Sequence, residues 1–542
     1  MPPFLRRALI FVAATAALAF GWSLFWFVCD DAYIAFRYVS NSVAGRGYVW
    51  NPPPFLPVEG YSSFLWVALL DVVWRVTGVE PPVAANPILL VASIGTLAVV
   101  AHMALSLAAR RPLRTAPPEL WMGLALLAVV SNRNTLTWAS SGLETGLFNL
   151  LVVAWTAVGA LGADGPRRAH GLAALAALLY LCRPDGLLFL AATLGLLAFE
   201  VRRAPGRALA ALWLAIPAAH FAWRLSFYGY PLPNPAYAKH TGWWPDMGAA
   251  YLASFLLENG AWVPAIAFFV GAAAWTRVSH AAHDLARAIV PLTLVAQAAY
   301  YTILIGGDHF EYRVYLPLVT LLPVGLLWAA GERGWSPRTT VTAFALYFAL
   351  GWPIQWAHWW HTHTLTAPKS DRTFRLAPHT PTPLRPIATA FDGLQAHMLS
   401  HMVGIRHQGH VIYAHHIQPA TWPTRAQGAL IDDPADVPVI ARGGVGYPGW
   451  VLPNVAILDY RGLNDLVCAR NPVRAQKSRA MAHDREAPKG YLACFEPNVS
   501  LDAESPTKLR VRARGAPLTA ARIVACEQEF LEKVTRIARA GG

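Results

Sequence analysis

Phe27-Val28-Cys29-Asp30-Asp31-Ala32-Tyr33-Ile34-Ala35-Phe36-Arg37-Tyr38 is the stretch around which the rest of the chain is organised. It follows an apolar run at 8–28 that is long enough to cross a bilayer. Two adjacent carboxylates, Asp30 and Asp31, therefore lie where the first membrane helix meets water. Because a charge at this depth is costly, such carboxylates indicate a functional site. We expect later segments to bring further polar groups to the same face of the membrane.

Composition identifies a membrane protein. The chain has 542 residues, of which 55% are hydrophobic and only 14% are charged, whereas soluble domains carry roughly a quarter charged residues. The 22 tryptophans suit aromatic belts at membrane interfaces. The formal charge is +13, and the arginines of the membrane half fall in short loops between apolar runs. This is the positive-inside pattern, and it argues against nucleic-acid binding.

The basic loops also predict the topology. The apolar runs lie at about 8–28, 62–79, 84–108, 119–134, 143–162, 169–182, 186–200, 208–224, 261–276, 288–305, 313–330 and 339–357. The run at 62–79 contains Asp71, Trp74 and Arg75, a poor composition for a bilayer core. If this run stays at the surface, every arginine-rich loop is cytoplasmic. We therefore predict about eleven transmembrane helices, a juxtamembrane or re-entrant helix at 62–78, an interfacial helix at 247–258, and a cytoplasmic N-terminus held by a signal-anchor.

The remaining segments face outward on this topology. The predicted fold is an all-α polytopic membrane domain over residues 1–357, followed by a periplasmic α/β domain over residues 358–542. The outer segments collect most of the loop carboxylates, and β-like runs occur in the tail at 411–414, 437–441 and 455–460. Cys468, Cys494 and Cys526 lie in the tail, so one disulfide is expected there, with three pairings open.

Several motifs of the membrane half resemble a known family. Asp30-Asp31-Ala-Tyr-Ile-Ala-Phe-Arg37-Tyr and Val58-Glu59-Gly60-Tyr61-Ser62-Ser63 are followed by Ser141-Gly142-Leu143-Glu144, Arg183-Pro184-Asp185-Gly186, Pro231-Leu-Pro233-Asn234, Tyr237-Ala-Lys239 and Gly306-Gly307-Asp308-His309-Phe-Glu311-Tyr312-Arg313. Together they resemble the GT-C class of membrane glycosyltransferases. Within that class the likeness is to the mycobacterial terminal β-(1→2) arabinofuranosyltransferases and their proteobacterial relatives.

This resemblance implies a GT-C-like fold and a reaction. A sugar, such as arabinofuranose or another pentose, would pass from a polyprenyl-phosphate donor to a glycan or lipid acceptor of the cell envelope. The reaction would take place at the outer face of a bacterial inner membrane, with Asp30 or Asp31 as the catalytic base. The sugar, the acceptor and the choice between inversion and retention stay open.

Residue types support this reading independently. A carboxylate at a dry membrane edge can have a raised pKa and can take a proton from an attacking hydroxyl. A departing lipid phosphate needs cations, and arginine or lysine can supply them. The predicted substrate-binding residues are Arg37, Glu59, Tyr61, Glu144, Arg183, Asp185, Asn234, Lys239, Asp308, His309, Glu311 and Arg313. Lys239, which follows a proline-rich turn, is the favoured phosphate ligand.

The patterns of metal sites, cofactor sites and other functions are not favoured by this sequence. Histidines of the tail show no complete ligand spacing and are interpreted as ordinary surface or interface residues. No cofactor and no metal site is predicted, although a divalent metal stays open. Gly443-Gly-Val-Gly446 lacks the spacing of a dinucleotide-binding loop. A flippase for lipid-linked sugar and a non-catalytic envelope-assembly protein are the alternative functions. Polar residues that gather on one face, with no pairing of the two halves, argue against the flippase.

Overall fold

The computed structural model describes residues 1–110, 113–239, 242–278, 285–433, 435–473, 479–502 and 509–540. Helices dominate it, because a helix satisfies its own backbone hydrogen bonds inside a bilayer. The first nine α-helices are α1 Pro3–Leu24, α2 Asp30–Val43, α3 Phe64–Thr77, α4 Pro81–Ala108, α5 Pro118–Val130, α6 Arg133–Trp138, α7 Thr145–Leu161, α8 Pro166–Cys182 and α9 Gly186–Arg203.

The second part of the membrane half contains seven further α-helices and three irregular helical segments among the residues that are described. The α-helices are α10 Ala215–Tyr228, α11 Asn234–Lys239, α12 Pro245–Asn259, α13 Trp262–Val278, α14 Leu285–Ala299, α15 Leu316–Glu332 and α16 Pro337–Thr362. A 3-10 helix at Pro205–Leu214 precedes α10, a π-helical turn at Tyr300–Ile305 extends α14, and a 3-10 turn at Arg313–Tyr315 precedes α15.

Within the described ranges, five helical segments have the length and apolar composition needed to cross a membrane: Pro3–Leu24, Pro81–Ala108, Pro205–Tyr228, Arg287–Ile305 and Arg313–Glu332. The pair α12 and α13 would add a sixth span if its 100° bend lies within the bilayer. Shorter apolar helices include α5 and α7. The chain is thus a multi-pass membrane protein, and the predicted number of about eleven spans stays a prediction.

The segment at 62–78 forms the short helix α3. Its 14 residues fall short of the roughly 20 needed to span a bilayer. The carboxylate of buried Asp71 accepts hydrogen bonds from Tyr48 Oη at 2.8 Å and Ser42 Oγ at 3.1 Å. Arg75 Nε adds an ion pair with Asp71 at 3.0 Å. These contacts tie α3 to α2, and the juxtamembrane position of α3 stays a prediction.

The tail is mainly helical, with two small sheets. Its helices are α17 Ser370–Thr373, α18 Arg385–Ser400, α19 His407–Ile412, α20 Gln418–Thr421, α21 Arg425–Gly428, α22 Gly446–Val451, α23 Leu466–Arg470, α24 Tyr491–Cys494 and α25 Ala520–Ala540. Strand β1 (Val439–Arg442) pairs in parallel with β2 (Ala456–Asp459), and β3 (Val499–Leu501) pairs antiparallel with β4 (Leu509–Val511).

The strands predicted at 437–441 and 455–460 correspond to β1 and β2, whereas the strand predicted at 411–414 is wrong. That segment is helical, in α19 and the π-helical turn that follows it. The cause is tertiary, because the carboxylate of Glu311 accepts the backbone N–H of His407 at 2.9 Å and fixes the start of α19. Cys494 pairs with Cys526, and Cys468 is a buried thiol.

Arg37 joins the first outer loop to the tail. Its fully buried guanidinium donates to the carbonyl oxygens of Gly449 and Leu452 at 3.0 Å and of Val455 at 2.9 Å. It also donates to the Trp50 carbonyl at 2.7 Å. The tail therefore docks on α2 through a charged side chain whose donors face protein carbonyls.

We expect Arg37→Lys to loosen this docking. A lysine ammonium is a point charge and lacks the planar fork of arginine, so buried carbonyls would lose their donors at about 1–3 kcal/mol each. The midpoint of thermal unfolding should fall, and limited proteolysis should release tail fragments sooner. Arg46→Lys is the matched control, because Arg46 bonds the same region through Pro453 and Asn454 from a half-buried position. Equal stability of the two variants would contradict this role for Arg37.

Candidate active site at the membrane edge

The acidic pair lies in the first turn of α2, where the helix dipole favours negative charge. Two groups from the tail hold Asp30: Gln418 Nε2 donates to Asp30 Oδ1 at 2.6 Å, and the backbone N–H of Tyr447 donates to the same oxygen at 2.9 Å. Burial raises the pKa of Asp30 to about 6. A carboxyl group with such a pKa is still ionised at neutral pH, and its position is fixed by donors more than 380 residues away.

Asp31 has different surroundings. Its carboxylate accepts no hydrogen bond from any residue that the structure describes, and its side chain is half-buried. It lies within electrostatic range of His410 and His483. The His309 ring lies 6.1 Å from the His410 ring and 5.4 Å from the His483 ring, measured between centroids. Asp31 thus faces a group of three imidazoles.

These imidazoles are neutral at pH 7. Burial lowers the pKa of His410 to about 3 and also lowers the pKa of His309 and of His483. His309 Nδ1 lies 3.0 Å from the Met402 carbonyl oxygen, so it is the protonated nitrogen of that ring. Neutral imidazoles can donate or accept hydrogen bonds without adding charge.

Two side chains supply positive charge to the same group. Lys239 lies within electrostatic range of His309 and His483, and Arg372 lies within range of His309 and His410. Lys239 has no carboxylate partner in the described part of the chain, whereas Arg372 lies within electrostatic range of the buried Asp371 carboxylate. Two cations near a carboxylate form a site suited to an anionic ligand that reacts near a base.

The loop that carries His309 is fixed by the tail. The backbone N–H of Gly404 donates to the Asp308 carbonyl at 2.9 Å, and that of Ile405 donates to the His309 carbonyl at 2.8 Å. The backbone N–H of Glu311 donates to the Ile405 carbonyl at 3.1 Å. The short ladder holds the loop beside the segment that leads into α19 and His410.

A buried quartet of charges locks this ladder in place. Arg406 donates to both carboxylate oxygens of Glu258, at 2.5 and 2.9 Å. Glu311 forms ion pairs with Arg133 and with Arg406, and Arg133 pairs with Glu258 at 3.2 Å. All four residues are almost fully buried, so their charges depend on one another.

A second network lies at the ends of membrane helices. Arg183 donates to Glu144 at 2.7 Å and to Asp185 at 3.0 Å. Arg313 binds Asp308 through two nitrogens, at 2.8 and 3.2 Å. The two pairs lie within electrostatic range of each other. These predicted substrate-binding residues therefore come together, with both arginines paired to carboxylates of the same network.

The other predicted residues lie elsewhere around the first outer loop. Glu59 forms a buried ion pair with Arg224 at 2.7 Å, and the Tyr61 hydroxyl lies 3.1 Å from that of Tyr228. Asn234 donates to the Gly462 carbonyl at 2.8 Å and accepts from Arg470. Like Arg37, Asn234 has its polar atoms engaged by the tail, so we do not assign either residue to substrate.

Among the predicted residues, the structure thus groups Asp30, Asp31, Lys239 and His309. Sequence reasoning missed four partners of this group: Arg372, His410, Gln418 and His483. His410 belongs to a set of tail histidines without ligand spacing, no sequence signal marks His483, and only the fold brings both near Asp31. Across the described ranges, no set of three or more His, Cys, Asp or Glu side chains has an arrangement that could hold a metal ion.

The chain has relatives among characterised proteins, although no family model matches it. It is 28% identical over 383 residues to a terminal beta-(1->2)-arabinofuranosyltransferase of Corynebacterium glutamicum, with 60% of this chain and 52% of that protein covered. Identity is also 28%, over 362 residues, to the protein of that name from Mycobacterium tuberculosis, with 59% and 56% covered. The chain spans about half the length of these curated relatives.

The fold is similar to that of a solved membrane protein. ArnT from Cupriavidus metallidurans in its apo state aligns with a TM-score of 0.50 at 14% sequence identity, over 84% of this chain and 86% of ArnT. The mostly helical membrane fold predicted from the sequence is therefore shared with ArnT. The predicted resemblance to the terminal arabinofuranosyltransferases is confirmed by the two curated relatives.

We expect Glu311→Gln to destabilise the protein by about 3–5 kcal/mol, since it leaves buried Arg133 and Arg406 with too little negative charge. The loss should appear as a lower midpoint of thermal unfolding in detergent. Glu332→Gln serves as the control, because Glu332 pairs with Arg110 in a more exposed position, at 2.8 Å. Equal midpoints for the two variants would show that the quartet does not hold the site together.

Proposed function

We propose that this protein is a membrane glycosyltransferase. It moves a sugar from a polyprenyl-phosphate donor to an acceptor of the cell envelope, at the outer face of the inner membrane. The observation that carries the proposal is that Asp31, a carboxylate without hydrogen-bond partners in the described chain, and the cation Lys239 lie around the same three imidazoles. Arg372 adds a second cation beside two of these rings. Support also comes from the names of the curated relatives, which are arabinofuranosyltransferases.

Asp31 acts as the general base in this proposal. The acceptor hydroxyl attacks the anomeric carbon of the donor sugar, and its proton passes to the Asp31 carboxylate. The bond between that carbon and the phosphate oxygen breaks, and polyprenyl phosphate leaves with the electron pair. Asp30 is a positioning residue, because Gln418 and Tyr447 already occupy its carboxylate.

Lys239 and Arg372 stabilise the phosphate as negative charge develops on it. The neutral rings of His309, His410 and His483 offer hydrogen bonds to the same phosphate or to sugar hydroxyls. Arginine and lysine are well suited to a lipid monophosphate, and the membrane helices beside the site offer a path for its polyprenyl chain.

The proposed orientation has the N-terminus in the cytoplasm and the tail in the periplasm. Arginine-rich loops at one end of the helices support it. The Cys494–Cys526 disulfide also favours an oxidising compartment for the tail. The relatives' names favour a pentofuranose as the sugar, with the acceptor and the stereochemical outcome left to experiment.

Replacement of the two aspartates by asparagine separates their roles. Asp31→Asn cannot take a proton, so we expect transfer to fall by about 10²–10⁴-fold. Asp30→Asn keeps an oxygen that can accept from Gln418 and Tyr447, so most of the activity should persist. The assay is transfer of radiolabelled sugar from polyprenyl phosphate in detergent, with gel filtration as the test of folding. A fully active Asp31→Asn enzyme would refute the proposed base.

The cations can be tested by binding alone. Lys239→Gln and Arg372→Gln should each weaken binding of decaprenyl phosphate about tenfold, the value of one charge-assisted contact of about 1.4 kcal/mol. Arg375→Gln is the matched control, because Arg375 is exposed and bonds only backbone carbonyls of its own segment among the described residues. Unchanged affinity in both test variants would remove the phosphate site from the proposal.

A further inference from the structure

A group of tyrosines lies near Asp30 and the loop that binds it. We call it the tyrosine collar, and it consists of Tyr33, Tyr413, Tyr447 and Tyr460. The Tyr33 and Tyr447 rings meet edge to face with centroids 5.1 Å apart. Tyr33 and Tyr413 both lie within electrostatic range of Asp30, and Tyr447 holds Asp30 through its backbone N–H.

The collar hydroxyls are available for a ligand. All four tyrosines are half-buried, and none of their hydroxyls bonds to a residue that the structure describes. A half-buried hydroxyl without a partner is costly unless water or a ligand satisfies it. Four such hydroxyls in one group, two of them on tyrosines within electrostatic range of Asp30, therefore indicate a surface that receives a polar molecule.

Arg442 adds a positive group at the edge of the collar. It lies over the Trp422 ring, with 5.2 Å from its guanidinium carbon to the ring centroid, and it is within electrostatic range of Tyr413. Its Nε is buried and has no hydrogen-bond partner in the described chain. A guanidinium group that still has N–H donors to offer can donate to two neighbouring oxygens of one ligand.

The glycines of 443–446 make this arrangement sterically allowed. A Cβ atom at Gly446 would lie 1.9 Å from the Asp30 carbonyl oxygen, and one at Gly443 would lie 2.5 Å from the Tyr460 ring. A side chain at either position would push the loop away from α2. The motif thus serves to bring Tyr447 and the collar against Asp30.

From these observations we propose that the tyrosine collar and Arg442 form the subsite for a carbohydrate acceptor, and that they orient the hydroxyl of a glycan end toward the acidic pair. The inference rests on the proposed function, since it assigns the acceptor side of the same reaction. Aromatic faces suit the C–H faces of sugar rings, and hydroxyls and a guanidinium suit their dense oxygen atoms. A lipid acceptor would instead require an apolar surface beside Asp30.

The test measures binding of two probes to the intact protein in detergent. One probe is an arabinofuranosyl hexasaccharide, for the collar, and the other is decaprenyl phosphate, for the donor site. Arg442→Gln and Tyr413→Phe should each weaken hexasaccharide binding at least fivefold and leave decaprenyl phosphate binding unchanged. Arg338→Gln, an exposed arginine at the start of α16, is the control and should change neither.

The outcomes separate the two proposals. Suppose that the unaltered protein binds both probes. If Arg442→Gln and Tyr413→Phe then bind the hexasaccharide as tightly as the unaltered protein, the collar and Arg442 are not the acceptor subsite. The inference is also overturned if the unaltered protein binds neither the arabinofuranosyl hexasaccharide nor a mannosyl hexasaccharide. If decaprenyl phosphate fails to bind and the hexasaccharide binds through Arg442, the donor proposal falls and the carbohydrate subsite stands.

Discussion

The hydrogen bonds that Asp30 accepts from Gln418 and Tyr447 are the contacts on which the rest of the site depends. A carboxylate held out of water at a membrane edge needs donors, or it becomes protonated. The membrane helices do not supply those donors, because their backbone N–H groups are used within the helices. The tail supplies them, and this requirement explains why a polar segment of the chain packs against α2.

The same dependence recurs in the other polar contacts between the two halves. Arg37 reaches carbonyls of the tail, and Arg406 of the tail completes the charge of Glu258 and Glu311. In each case a buried charge in one half is satisfied by groups from the other. Separation of the halves would expose or orphan several charges at once, so the site and the interface have a common energetic origin.

Much of this could be predicted from the sequence, and the parts that could not have a clear cause. The acidic pair can be predicted because a charge at the end of an apolar run has a cost in free energy that does not depend on the rest of the fold. Arg37 is predicted to bind substrate because it is one of the cations on the predicted outer face. The tail covers its guanidinium instead, and no local pattern reveals which distant segment covers a helix. His410 and His483 cannot be predicted for the same reason, since only the fold places them near Asp31.

The span of sequence that builds this site has a consequence for biosynthesis. Asp31 leaves the ribosome long before His483 and the two cysteines of the Cys494–Cys526 disulfide, because a chain is synthesised from its N-terminus. A nascent chain with most of its membrane helices already made still lacks the groups that hold Asp30. On this order of events, the acidic pair is completed only after the tail has been synthesised and has packed against α2.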